Sequence, residues 1–423
     1  MTPLVFRGGP LRGEVRVAGD KSISHRALML AALAPGVSSV ERPNRGADVM
    51  ATRDAIVALG AQVEDRGETI AVRGGVLHDP PGTLDARNSG TTARLLMGLC
   101  AGHGINAVFD GDASLRRRPM ERVARPLRAL GAEVHTTAGR LPAGVRGIVE
   151  PPGGEFQLEL ASAQVKSAIL LANLQARGPV IITGDRHSRD HTERMLRRFG
   201  RQITFDGRTI ALLPGALSPQ TVRVPADLSG AAFFITAAAT TPGSDLLLKD
   251  VGVNPTRTGF IDVLLAMGAD LQLVDARELD GEPVADVRVR YRPLHATSVD
   301  GETVVRAIDE VTIIAVAAAH AEGTTRIRDA ADLRGKESDR LTTITATLRA
   351  CGVEIAEHPD GLDITGGTAR APGRTLHAFD DHRIAMAIAA LAAPSGDHAI
   401  DDGACIDISF PDFAELWSKT QTA

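Results

Sequence analysis

Five segments of the 423-residue sequence share one pattern: AIVALGAQVE, PLRALGAEVH, MLRRFGRQIT, VLLAMGADLQ and TLRACGVEIA each read as an amphipathic helix, a glycine and the start of a strand. The glycines are Gly60, Gly131, Gly200, Gly268 and Gly352, so the spacings by subtraction are 71, 69, 68 and 84 residues. Glycine suits the turn by which a helix ends and a strand begins. A recurring period means one supersecondary unit used repeatedly, and that limits the architecture more than composition does. FPDFAELWS, near the C-terminus, reads as a sixth, shortened copy.

A second series keeps the same period and is more apolar: SISHRALMLAALA, TTARLLMGLCAG, AQVKSAILLANLQA, LSGAAFFITAAAT, EVTIIAVAAAHAEG and DHRIAMAIAALAA. A helix that is apolar on every face is buried on every face. Each repeat therefore contributes one buried and one half-exposed helix, with short strands such as GEVRVAG, TIAVRGG and DLQLVD between them. The expected fold is α/β, with two domains of three repeats each. Aromatic residues are only 3% of the chain while glycine numbers 43, so the buried helices must pack through small residues with their backbones close. The chain offers two places to cross between domains, Ala18–Asp20 and Val224–Asp227. If both are used, residues 1–18 and 228–423 form one domain, residues 19–227 form an inserted second domain, and the active site is expected in the cleft between them.

A net charge of -5 gives no global basic field, which makes nucleic acid a poor partner and requires any anion site to be built from locally gathered cations. The three cysteines, Cys100, Cys351 and Cys405, lie far apart, indicating neither a zinc site nor a disulfide framework and fitting a reducing cytoplasm. No signal-type segment opens the chain and no run is long and apolar enough to span a membrane. A cytoplasmic, monomeric protein is expected.

The polar residues that open these helices are less ordinary. The buried series starts with Lys21-Ser22 and Arg26; Asn88-Ser89-Gly90 and Arg94; Ser162-Ala163-Gln164 and Lys166; Asp309-Glu310; and Asp381-His382-Arg383. In the half-exposed series the starts include Arg117-Arg118-Pro119, Arg189-Asp190-His191 and Lys336-Glu337-Ser338-Asp339-Arg340. Capping accounts for hydroxyls and carboxylates, and it is the expected role of Ser24, Thr92, Thr192, Ser229 and Ser338. It does not account for Lys and Arg, which face the positive end of the helix dipole there. Free backbone N–H groups together with guanidinium forks suit a phosphate or carboxylate, so a multiply charged ligand set is implied, such as two small phosphorylated acids. Asp309 and Glu337, beside cations, are candidates for proton transfer, with a structural ion pair as the alternative for each.

Taken together, GDKSISHR, NSGTTAR, LRRRP, SAQVK, RDHTE, NPTR, RGKESDR and DDHRIAM resemble, in order and over nearly the whole chain, the motif series of the 3-phosphoshikimate 1-carboxyvinyltransferase (EPSP synthase) family, and its class II branch more than class I. The resemblance implies two inside-out α/β barrel-like domains, each of three βαβαββ repeats. It also implies transfer of the enolpyruvyl group of phosphoenolpyruvate to the 5-hydroxyl of shikimate 3-phosphate, releasing phosphate, with no metal or organic cofactor. By motif, Lys21, Ser22, Arg26, Ser162, Ala163, Gln164, Arg189, Asp309 and Lys336 would serve shikimate 3-phosphate. Lys21, Gly90, Arg118, Gln164, Arg340 and Arg383 would serve phosphoenolpyruvate. Asp309 would accept the hydroxyl proton and Glu337 would protonate the enol carbon. Arg94 and Lys166 would either touch substrate or brace the site, and Asn88, Asp381, His25 and His382 are expected to be structural.

Two positions qualify the resemblance. CIDISFP carries Ile408 where some family members have a Lys before the Ser/Thr-Phe-Pro, and Gly90 is Ala in some glyphosate-tolerant class II members. Rival readings are an enolpyruvyl transferase acting on UDP-N-acetylglucosamine, disfavoured because GDASLRRRP holds no Cys, and a non-catalytic anion or RNA-end binding protein, disfavoured by the net charge.

Overall fold

The computed structural model describes residues 3–422 apart from Leu160, Arg186, Gly207 and Thr368. The chain divides into two compact units: Met1–Asp20, Pro225–Glu278 and Pro283–Ala423 form the first, and Lys21–Val224 with Leu279–Glu282 form the second. The boundaries anticipated at 18/19 and 227/228 are thereby shifted. Asp20 N–H donates to Pro225 O (2.8 Å), Asp227 N–H donates to Ala18 O (2.9 Å) and Ala226 bridges Val251, which ties both segments into the first unit. A second correction concerns Leu279–Glu282, the tip of the hairpin formed by Asp270–Leu279 and Glu282–Arg290. Asp280 accepts from Arg223 N–H (2.8 Å), and Glu282 meets His191 Nδ1 at 2.8 Å, so long-range polar pairing overrides sequence proximity.

The second unit contains three four-stranded sheets of one design. In the middle repeat, Leu84–Asp85 pairs in parallel with Asn106–Asp110, and Arg140–Arg146 then lies antiparallel to both Asn106–Asp110 and Glu133–Thr137. The helix Gly90–Gly102 connects the parallel strands and the helix Glu121–Ala129 precedes the hairpin, giving βαβαββ. The first repeat is completed circularly: its parallel strand is Thr221–Arg223, paired with Gly36–Glu41. The helices Lys21–Leu33, Gly90–Gly102 and Ala163–Ala172 supply much of the core, with the sheets outside them. Small residues allow this. A Cβ on Gly98 would lie 2.4 Å from Ala168 O, and one on Gly102 would lie 1.6 Å from Ala172 O, so these backbones touch only because glycine stands there.

The first unit follows the same plan around the buried helices Leu228–Thr240, Val311–Ala319 and His382–Ser395, with two four-stranded sheets. Its third repeat is reduced. Leu4–Phe6 pairs antiparallel with His398–Ile400, a single parallel bridge joins Leu376 to Ile400, and the helix Phe413–Thr422 closes the repeat. The scarce aromatics gather there: Phe6, Phe233, Phe234, Phe410, Phe413 and Trp417 stack around Phe413, whose ring centroid is 5.3 Å from that of Phe234. They fill the volume that a full repeat would otherwise supply. Among the described residues no helix is long and apolar enough to cross a membrane.

Candidate active site

In the second unit the cations gather where buried helices begin. Arg26 sits one turn into Lys21–Leu33 and is buried. Its Nε donates to Thr192 Oγ1 (2.6 Å), its Nη2 to Ser167 Oγ (2.9 Å) and its Nη1 to Ser22 O (3.0 Å). One guanidinium therefore ties together the starts of Lys21–Leu33, Ala163–Ala172 and His191–Arg198. Lys21, half-buried on the exposed end of its helix, pairs with Asp48 at 2.8 Å. Arg189 is half-buried just before Asp190, the N-cap of His191–Arg198.

A second cluster forms around Gly90. Arg94 Nη1 donates to Gln164 Oε1 (2.7 Å) and its Nη2 to Pro119 O (3.0 Å), while Gln164 Nε2 donates to Thr91 Oγ1 (3.0 Å). Arg118 Nη2 donates to Asn88 Oδ1 (2.6 Å), and Asn88 in turn donates to Asp112. A Cβ added at Gly90 would lie 2.8 Å from Arg94 Nη1 and 3.5 Å from Arg118 Nη1. Gly90, Arg94, Arg118 and Gln164 thus occupy one neighbourhood, in which both guanidinium groups donate to neutral oxygens.

Several expected roles change. Lys166 lies fully buried against Asp185 (2.7 Å), Glu193 (2.8 Å) and Ser188 O (3.0 Å), so it braces the segment carrying Arg189. Burial alone would lower its pKa, but Glu193 and Asp185 outweigh it and hold the ammonium charged. Ser24, Thr92, Thr192, Ser229 and Ser338 are not the N-caps. For Thr92, Thr192, Ser229 and Ser338 the cap positions are held instead by Ser89, Asp190, Asp227 and Asp339, and the side-chain oxygens of Ser89, Asp227 and Asp339 reach an N–H two or three positions on. Ser24 instead accepts from Asn44 N–H, and Ser338 donates to Asp381. His25 meets Thr52 Oγ1 at 2.7 Å and its pKa is pushed well down by burial, then by Lys21 and Arg26, which fits a structural role.

In the first unit the cations are buried against carboxylates. Arg340, 1% exposed at the start of Arg340–Ala350, contacts Glu337 Oε2 (2.7 Å) and donates to Asp381 Oδ2 (2.9 Å), with Asp309 Oδ1 at 3.7 Å. Asp381 also caps His382–Ser395 by accepting from Arg383 N–H (2.9 Å). Arg383 Nη1 donates to Asp309 O (2.6 Å) and lies 3.5 Å from Glu310 Oε1, and Lys336 Nζ is 3.7 Å from Asp309. Burial pulls the Arg340 guanidinium pKa down, but Asp381 and Glu337 raise it further, and Arg340 in turn keeps Asp381 below the usual carboxylate range against its burial. Asp309 and Glu337 thus share the cation Arg340, and Asp309 also faces Lys336 and Arg383. That arrangement suits two proton transfers beside anionic ligands. Ile408 packs on the core of this unit, and among the described residues no group of three or more His, Cys, Asp or Glu is placed to hold a metal ion.

The family model for EPSP synthase (3-phosphoshikimate 1-carboxyvinyltransferase) matches residues 5–417. The chain belongs to the EPSP synthase family. Relatives named 3-phosphoshikimate 1-carboxyvinyltransferase include one from Geobacter sp. (strain M21), 48% identical with 96% of each chain covered, and one from Gloeobacter violaceus, 50% identical with 97% of each covered. A solved structure of EPSP synthase from Acinetobacter baumannii superposes with a TM-score of 0.86 at 39% identity, covering 99% of this chain and 98% of that one. The enolpyruvyl transferase NikO from Streptomyces tendae, at 20% identity, TM-score 0.78 and coverage of 99% and 97%, shares the fold. Family membership displaces the nucleotide-sugar and RNA-end readings.

Some polar partners were missed by sequence reasoning. Arg257, in NPTR, is 3% exposed and bonds Asp20 Oδ2 at 2.5 Å, although the two residues are 237 positions apart. The motif was visible, but a distant carboxylate partner gives no local signal. Asp48, the partner of Lys21, likewise lay in an unremarkable helical stretch.

Proposed function

We propose that this chain transfers the enolpyruvyl group of phosphoenolpyruvate to the 5-hydroxyl of shikimate 3-phosphate through the residues described above. Lys21, Ser22, Arg26, Ser162, Ala163, Gln164 and Arg189 take the sugar acid and its phosphate. Gly90, Arg118, Gln164, Arg340, Arg383 and Lys21 take phosphoenolpyruvate, where Gly90 leaves room for an anion against two guanidinium groups.

Asp309 accepts the proton of the 5-hydroxyl, with Lys336 beside it to hold that oxygen. The hydroxyl oxygen bonds to C2 of the enol, and C3 takes a proton from Glu337. The tetrahedral adduct then expels phosphate as the Glu337 carboxylate takes a proton back from C3 and the double bond re-forms. Glu337 is paired with Arg340 before substrate arrives. When the anion of phosphoenolpyruvate draws on Arg340, Glu337 loses part of that partner and takes up the proton it delivers.

The observation that carries this reading is the sharing of one buried guanidinium, Arg340, by Glu337 and Asp381 within 4 Å of Asp309. Phosphate release should require phosphoenolpyruvate and shikimate 3-phosphate together. Release with UDP-N-acetylglucosamine in place of shikimate 3-phosphate, or no release with either, would overturn it.

A further inference from the structure

Arg257 has no substrate to meet in this scheme, yet it is among the most heavily countered cations of the first unit. Nη1 donates to Asp20 Oδ2 (2.5 Å), and Nη2 donates to Ser229 Oγ and to Asp227 Oδ1 (3.3 Å) and lies 3.8 Å from Glu310 Oε1. Asp20 and Asp227 belong to the paired segments 18–20 and 225–227, the last and first stretches of the first unit on either side of Lys21–Val224. Glu310 is fully buried and adjoins Asp309. Its Oε1 accepts from Ser229 Oγ and lies between two cations, Arg257 at 3.8 Å and Arg383 at 3.5 Å, while its Oε2 is buried with no hydrogen-bond partner among the described residues.

A buried carboxylate must draw on whatever cation remains near it. We infer that Arg257 is a positioning residue for the reaction: by sharing the charge of Glu310, it leaves Arg383 available to phosphoenolpyruvate instead of locked to Glu310. The inference rests on the assignment of Arg383 to phosphoenolpyruvate made above. It is a role in substrate binding at a distance, since Arg257 touches neither the proton-transfer carboxylates nor the proposed ligands directly.

The test uses the full chain carrying Arg257→Gln, Glu310→Gln, both together, and Arg383→Gln, with steady-state kinetics in each substrate and thermal melting. Arg257→Gln should raise the KM for phosphoenolpyruvate by about 10-fold or more while the KM for shikimate 3-phosphate moves by less than about 3-fold. Adding Glu310→Gln should bring the phosphoenolpyruvate KM back to within about 3-fold of the parent, because the group competing for Arg383 is then neutral. A general loss of structure would raise both KM values together, and a second substitution in the core would not repair it. Equal rises in both KM values, or no rescue in the double variant, would overturn the inference. If Arg257→Gln does not fold, Arg257→Lys, which keeps the charge but cannot fork across four acceptors, should show the same selectivity for the phosphoenolpyruvate KM at smaller size, and equal rises there would count against the inference equally. Failure of the underlying assignment looks different: Arg383→Gln would then leave the phosphoenolpyruvate KM unchanged whatever stands at position 257.

Discussion

Arg26, Arg94 and Arg118 of the second unit donate to hydroxyl, amide and main-chain oxygens, whereas Arg340, Arg383 and Arg257 of the first lie against Asp309, Glu310, Glu337, Asp381, Asp20 and Asp227. Neutral oxygens orient a guanidinium without cancelling its charge; carboxylates do both. The same repeat and the same habit of opening buried helices with cations therefore place guanidinium groups in two settings, although the lysines of the second unit, Lys21 with Asp48 and Lys166 with Asp185 and Glu193, also meet carboxylates. One is suited to holding anions. The other stores acid and base groups beside cations that an arriving anion can redistribute.

Arginine removal should separate the two most strongly. Arg340→Met leaves Glu337 and Asp381 without the cation they share, and its loss of stability should reach about 3–5 kcal/mol in denaturant melts, with activity abolished. Arg118→Met removes the donor to Asn88 Oδ1 and should lose less stability than Arg340→Met while raising the KM for phosphoenolpyruvate about 10-fold. Similar stability losses in the two variants would erase the contrast.

Next in size, Glu337→Gln should lower kcat by about 100- to 1000-fold in a phosphate-release assay, with the KM for shikimate 3-phosphate within about 3-fold of the parent. A proportional loss of both would make Glu337 a binding group like those of the second unit.

Acid probes a feature the units share. Both bury a histidine against protonation: His25 beside Lys21 and Arg26, and His320, brought down to about 4 by burial and then by His398. An unfolded histidine takes its proton near pH 6.5, and folded His320 resists it until about pH 4. Its contribution is thus complete above pH 6.5 and is lost as pH falls from 6.5 to 4, amounting to about 3 kcal/mol at most. Replacing His320 by Gln should flatten the stability curve in that window; an unchanged slope would show that His320 is not the group titrating.

Smallest is Gly90→Ala, whose methyl would meet Arg94 Nη1 at 2.8 Å. The end of a long side chain can yield, so a rise of about 3-fold in the phosphoenolpyruvate KM is expected, with shikimate 3-phosphate unaffected.

Much of the fold was legible because it is written in local pattern: apolar periodicity marks the buried helices, and Gly60, Gly131, Gly200, Gly268 and Gly352 mark their half-exposed partners' ends, each at positive φ. The capping residues were misplaced because a run such as Asn88-Ser89-Gly90-Thr91-Thr92 offers several side chains for one job, and only the backbone decides which is outside the helix. The grouping of Leu279–Glu282 with Lys21–Val224, the burial of Lys166 between Asp185 and Glu193, and the pairing of Arg257 with Asp20 depend on partners distant in sequence. Local pattern says that a charge is present, but not which carboxylate it will meet.

The division of labour between the units is tested most directly by calorimetric titration of shikimate 3-phosphate into Arg26→Gln and Glu337→Gln. The account predicts affinity weakened about 10-fold or more in Arg26→Gln and unchanged within about 2-fold in Glu337→Gln. Equal affinities in both variants, or a greater loss in Glu337→Gln, would contradict it.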